Sequence, residues 1–133
     1  MKLTIGTVAQ LAGVNLETIR YYQRRGLITE PEKPEKGFRI YPQNTITRIR
    51  FIKRAQKLGF TLKEINQMLD LGQSECGQIK KIASTKISEL ENKIKEYTTM
   101  RDTLVDFVEK CDPNISDDKC GFLNSMSNSI SAS

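Results

Sequence analysis

From about Gln78 to Lys110, apolar residues step by threes and fours: Ala83, Ile87, Leu90, Ile94, Tyr97, then Leu104 and Val108, with Arg101 as the one polar interruption and Met100 beside it. That spacing predicts a coiled-coil seam over several heptads, because a helix brings residues three and four apart onto one stripe. At about 1.5 Å per residue the helix would be about 50 Å long. Nothing else in a chain of 133 residues is long enough to cover it, so a second copy of the chain is the expected partner. The seam therefore predicts a homodimer joined through residues 76–110, and leaves 1–75 to build one small domain.

That first part carries the positive charge. Residues 1–75 hold 13 Lys and Arg against 7 acids, whereas residues 76–133 hold 8 against 9. The basic part is the part able to meet phosphate. No apolar run approaches the roughly 18 residues of a bilayer span, and Met1-Lys2-Leu3-Thr4 leads into a helical pattern without a signal-peptide core. The expectation is a cytoplasmic protein with no membrane partner. With no histidine in the chain, the commonest general base is missing and no Ser/His/Asp or Cys/His arrangement is possible, so an enzyme is not expected.

Helix signals divide the basic part into short pieces. Thr4 is placed to cap a helix that Gly13 ends, and Asn15 to cap a second that runs to about Arg25 before Gly26. Two short helices joined by a tight Gly-containing turn form a helix-turn-helix pattern. Pro31 and Pro34 then interrupt helical structure, and "EKGFRIY" alternates around Gly37 as a small β-hairpin would, a candidate wing. After Pro42, Ile46, Ile49, Ile52 and Ala55 mark a third helix, and Thr61-Leu62-Lys63-Glu64 has the form of a capping box opening a fourth. The second helix, "ETIRYYQRRG", places Leu16, Ile19 and Gln23 on one side and Glu17, Thr18, Tyr21, Arg24 and Arg25 on the other, with Arg20 and Tyr22 at the flanks. Guanidinium forks fit guanine edges or phosphate oxygens, and tyrosine hydroxyls bond phosphate. The candidate DNA-contacting residues are Thr18, Arg20, Tyr21 and Arg24 on this helix and Lys33, Lys36, Arg39 and Tyr41 on the wing.

Taken together, "TIGTVAQLAGVNLETIRYYQRRGLI", "KGFRIY" and "RFIKRAQKLGFTLKEINQML" resemble the MerR family of bacterial transcription regulators, in order and across essentially the whole chain to Cys120. The resemblance implies a mainly α fold: a winged helix-turn-helix domain over 1–75, an antiparallel coiled-coil homodimer through 76–110, and an effector site at the coil ends. It also implies a pseudo-palindromic double-stranded operator and action with RNA polymerase. Such a regulator holds its promoter silent without effector and activates it by distorting the DNA when loaded. Arg20 and Tyr21 would lie on the groove-facing helix, and Arg39 and Tyr41 on the wing against the backbone.

Cys76 precedes the long helix, Cys111 follows it, and Cys120 lies nine positions on, beyond "DPNISDDK". Cys76 and Cys111 of one chain are too far apart to share an ion, but two antiparallel helices would bring Cys76 of one subunit beside Cys111 and Cys120 of its partner. Three thiolates without histidine suit a soft ion that accepts trigonal coordination, Hg(II) first and then Pb(II) or Cd(II), better than structural zinc with its four ligands. Mercury-responsive members of the MerR family are similar in this respect, with one cysteine heading the dimer helix and two at its far end. Gly121-Phe122-Leu123 follows Cys120 where a proline is commoner in the family. The rival is a redox-sensing regulator in which Cys111 and Cys120 oxidise across a short loop. Residues 111–123 are thus expected to be a metal-binding loop with a short helix, and 124–133, rich in Ser and Asn, a disordered tail.

Overall fold

The computed structural model describes residues 2–111 and 120–131. Six α-helices follow in order, α1 Ile5–Ala12, α2 Leu16–Arg24, α3 Asn44–Lys57, α4 Leu62–Leu71, α5 Cys76–Glu109 and α6 Gly121–Ser131, with one 3-10 turn at Gln73–Glu75. They form two compact units, residues 1–86 and 87–133.

The first unit is assembled from helices whose ends are specified locally. Asn15 Oδ1 accepts from the Thr18 amide at 2.8 Å, satisfying one of the amides a helix start leaves unpaired. Gly13 closes α1 at φ 71°, a left-handed position that disfavours residues with a Cβ. At α4 the capping box is complete: Glu64 N–H donates to Thr61 Oγ1 at 3.1 Å and Thr61 N–H to Glu64 Oε1 at 2.8 Å. The helices pack α1 on α2 and α3, and α3 on α4, around Val8, Ile19, Leu27, Ile49, Ile52 and Ile65, all fully buried. The opening turns of α5 belong to this unit. Ile79 and Ile82 pack against the core, and Lys86 Nζ lies 3.0 Å from Glu64 Oε1 and over the Phe60 ring. The compact unit therefore includes the first turns of α5.

Two expectations are corrected. Residues 35–41 form no β-hairpin, and no strand occurs among the described residues. Pro31 and Pro34 lack the N–H that a ladder needs. The two arms are instead bridged by a side chain, Arg39 Nε donating to the Pro31 carbonyl at 2.9 Å. The wing is a strapped loop. The Ser/Asn-rich segment is also not a tail from residue 124, because α6 continues to Ser131. Its first turn is anchored by Phe122, whose ring meets Phe107 edge-on with centroids 5.9 Å apart. The part of the expected metal-binding loop at 112–119 lies outside the described residues.

In the second unit, Ile87, Leu90, Ile94, Tyr97, Met100, Leu104 and Val108 of α5 are all exposed, while Phe107 is buried against α6. The heptad positions thus remain a continuous uncovered apolar stripe.

Candidate functional site

The outward face of α2 carries Arg20, Tyr21, Arg24 and Arg25, all exposed. Arg20 pairs with Glu17, one turn back at 3.0 Å, and both side chains are open to solvent. The Arg24 and Arg25 guanidiniums lie 6.0 and 5.9 Å from the Tyr21 ring centroid, so aromatic and cationic surfaces are interleaved. Thr18 is half-buried and part of the α2 cap, both its amide and its hydroxyl bonding Asn15. On the loop, Lys33 and Lys36 are exposed and Arg39 half-buried.

Tyr41 is not where the sequence put it. It is 4% exposed, a member of the core, with its amide donating to the Leu3 carbonyl at 2.8 Å. Its hydroxyl donates to Gln23 Oε1. Burial, then the Glu30 carboxylate, pushes the phenol above its usual range, so it remains a proton donor. Gln23 Nε2 in turn donates to Glu30 Oε2 at 3.1 Å, and Glu30 Oε1 meets Arg39 Nε at 3.1 Å. This relay, Tyr41 to Gln23 to Glu30 to Arg39, fixes the wing loop to α2. Gln23 and Glu30 were missed as wing-positioning residues, and the available signal was a lone glutamine on the buried side of α2. Tyr22 is likewise buried, 3% exposed, and its hydroxyl donates to Gln56 Oε1 at 2.7 Å, whereas Leu16 is exposed.

Three cations of α3 bond main-chain carbonyls of other segments. Arg48 Nε donates to the Leu27 carbonyl at 2.7 Å, Arg50 Nη2 to the Leu11 carbonyl at 3.1 Å, and Lys53 Nζ to the Gly13 carbonyl at 3.1 Å. The latter two complement the carbonyl-rich end of α1. The positive charge of this unit is therefore partly structural, while Arg20, Arg24 and Arg25 at α2, Lys33 and Lys36 on the loop, and Arg54 and Lys57 on α3 are exposed.

The thiols divide between the units. Cys76 is the first residue of α5, and Cys111 follows its end. In the second unit Cys111 Sγ and Cys120 Sγ lie 4.0 Å apart, and all three thiols are exposed. The amides of Leu123 and Phe122, at the start of α6, hold the Cys120 thiol below its usual range, with a smaller contribution from Cys111 against an opposing desolvation. Two thiols are thus brought together within one chain. Among the described residues no group of three or more His, Cys, Asp or Glu gathers as a complete metal site.

Residues 3–71 match the MerR HTH family of regulatory proteins, and residues 46–107 match the MerR DNA-binding family. The chain is 42% identical over 129 residues to the mercuric resistance operon regulatory protein of Bacillus cereus, covering 95% of this chain and 98% of that one. Among solved structures it is similar to a transcription regulator of Ralstonia metallidurans in complex with lead(II), with TM-score 0.81, 32% identity and coverage of 93% and 98% of the two chains. It is also similar to the dual function regulator MerR of Bacillus megaterium in complex with mercury(II), with TM-score 0.70, 38% identity and coverage of 90% and 94%. With a cationic helix-turn-helix face, a long α5 bearing an open apolar stripe, and these matches along nearly its whole length, the chain belongs to the MerR family of helix-turn-helix regulatory proteins.

Proposed function

We propose that this protein is a cytoplasmic, homodimeric transcription regulator whose effector is Hg(II). The functional division is a DNA-binding domain over 1–75, a dimerisation helix over 76–110 and a metal-binding loop over 111–123. Thr18, Arg20, Tyr21 and Arg24 meet the operator, with Lys33 and Lys36 on the wing. Arg39 and Tyr41 act by holding the wing in place.

The observation that carries the metal reading is the Cys111–Cys120 pair, with sulfurs 4.0 Å apart. Around an ion with metal–sulfur bonds of about 2.3 Å, ligands at trigonal or tetrahedral angles stand roughly 3.8 to 4.0 Å apart. The pair therefore fits two positions of one thiolate site. Cys76 opens a helix of 34 residues whose other end leads to that pair, a length of about 50 Å. An antiparallel second copy, covering the exposed stripe of α5, would supply its Cys76 to complete three thiolates twice per dimer. A soft ion supplies strong bonds to sulfur and tolerance of three-coordination. The thiols release their protons on binding and tie the end of one α5 to the start of the other. Binding then biases one of two dimer arrangements, in which the DNA-binding domains hold the operator differently for RNA polymerase. The naming of the Bacillus cereus relative for mercuric resistance, and the mercury complex of the Bacillus megaterium protein, support Hg(II).

Pb(II) is the second reading, because the structural neighbour at TM-score 0.81 is a lead complex. A promoter reporter dosed separately with Hg(II), Pb(II) and Cd(II), together with footprinting of reduced protein, tests both. Hg(II) is expected to induce at the lowest concentration, and induction by Pb(II) alone would reassign the effector. Cys76→Ser, Cys111→Ser and Cys120→Ser are each expected to lose induction while keeping operator binding without metal. Full induction by any one of them would falsify the shared site. Response of metal-free protein to peroxide would support redox sensing instead.

A further inference from the structure

We infer that Gly121 is a positioning residue for the thiol pair: the absence of a side chain at this position lets the Cys120 main chain seat against the end of α5, which sets the distance between Cys111 Sγ and Cys120 Sγ. The inference takes its functional meaning from the metal-site reading above and adds to it the means by which two ligands are presented together before any ion arrives.

The observation is steric. A Cβ built on Gly121 would stand 1.9 Å from the Lys110 carbonyl oxygen, 2.7 Å from the Lys110 carbonyl carbon and 3.4 Å from the Cys111 nitrogen. The atoms it meets are main chain, which cannot swing aside as a long side chain can. They are also held in place, since the Lys110 amide donates to the Phe107 carbonyl at 3.2 Å and the Cys111 amide to the Val108 carbonyl at 3.0 Å. The close approach joins the residue before Cys111 to the residue after Cys120, so the two cysteines are flanked by one tight main-chain contact. The edge-on ring contact of Phe107 with Phe122 lies beside it and holds α6 to the same end of α5. Backbone torsion is not the reason for glycine here, because Gly121 is not among the glycines with positive φ. Any other residue would have to open the contact by more than an ångström, and the sulfurs would separate with it.

The expected sign is opposite to that of a helix-forming effect. Alanine is the better helix former, so Gly121→Ala would not weaken α6 if only local helix formation were at stake. Proximity of the pair is measurable without metal, by equilibrating the full-length protein with glutathione. Two thiols join as one disulfide while glutathione disulfide takes up the two electrons and, with the two protons, becomes two glutathione thiols. The equilibrium reports the effective concentration of one thiol at the other. In a Cys76→Ser background, with acid-trapped products resolved by mass, Gly121→Ala is expected to lower that effective concentration by about tenfold or more. Met126→Ala, at an exposed residue further along α6, is expected to stay within about twofold of the parent, and in urea all three proteins are expected to converge. A Gly121→Ala value within twofold of the parent would overturn the inference, as would a Met126→Ala loss as large as that of Gly121→Ala. No metal enters the measurement, so its failure is separate from failure of the Hg(II) reading, which the reporter tests.

Discussion

Arg20 and Arg39 were assigned the same role from sequence, yet the structure gives them different surroundings, and removing each should have distinguishable consequences. Arg20 pairs with Glu17 across an exposed contact at 3.0 Å. Such pairs contribute about 0 to 1 kcal/mol, so Arg20→Ala should leave folding nearly unchanged. On DNA, a guanidinium bidentate to a base edge contributes about 1 to 3 kcal/mol, roughly a 5- to 150-fold change in Kd for each half-site, and a dimer loses it twice. If Arg20 meets phosphate instead, the slope of log K against log salt should shrink by about 0.9 per contact, about 2 per dimer. Arg39 donates to the Pro31 carbonyl at 2.9 Å and meets Glu30 at 3.1 Å. Arg39→Ala should therefore loosen the wing, weakening binding with a smaller change in slope. Arg39→Lys keeps the charge but not the fork, and should not restore affinity if the strap is its function. Fluorescence anisotropy on a duplex selected by the wild-type protein, repeated across salt concentrations, reads all of these. Unchanged Kd and slope for Arg20→Ala would remove it from the interface, and wild-type binding by Arg39→Lys would show that its charge matters rather than its geometry.

Other consequences follow from burial, exposure and the thiol environment. Ile49 of α3 is fully buried in the core, so Ile49→Ala should cost about 2 to 5 kcal/mol in urea unfolding; a loss below about 1 kcal/mol would mean that the core collapses onto the gap. Leu90 is 41% exposed on the apolar stripe of α5, and Leu90→Asp should shift the protein toward monomer in sedimentation velocity while leaving its helix content intact; a dimer as tight as wild type would displace the stripe from the interface. The Cys120 thiol is held low by the Leu123 and Phe122 amides. A lowered folded-state pKa stabilises the folded protein above the unfolded pKa, and that contribution is lost as pH falls through the folded value. Alkylation of Cys120 in metal-free protein should therefore inflect at lower pH when native than in urea, and an inflection equal or higher when native would contradict the amide contacts.

What could be read before folding, and what could not, separates along the range of the interactions. Thr4, Asn15 and the Thr61/Glu64 box act within one turn, and each caps its helix as its neighbours in the chain imply. The α5 stripe is legible for a related reason, because its period repeats over many turns and averages out single exceptions such as Arg101. Tyr41 was misjudged, and Tyr22 left at the flank, since a tyrosine suits a wet or a dry side equally, and the decision came from distant partners, Gln23 and Gln56. The wing failed differently. Alternation of Phe38 with Ile40 matched a strand, but matching side chains cannot replace the donors that Pro31 and Pro34 lack, and the arms are joined by Arg39.

Positive charge illustrates the same division. Counting residues gives this part its excess of cations, yet Arg48, Arg50 and Lys53 are bonded to carbonyls 21 to 40 positions away in the chain. These bonds tie α3 to the ends of the neighbouring segments, which a count of charges does not disclose. The thiols follow this logic as well: Cys111 and Cys120 are paired by a main-chain contact at Gly121 that spacing alone does not disclose. Sequence order places two thiols nine positions apart, while the distance between them depends on Gly121, a residue with no side chain.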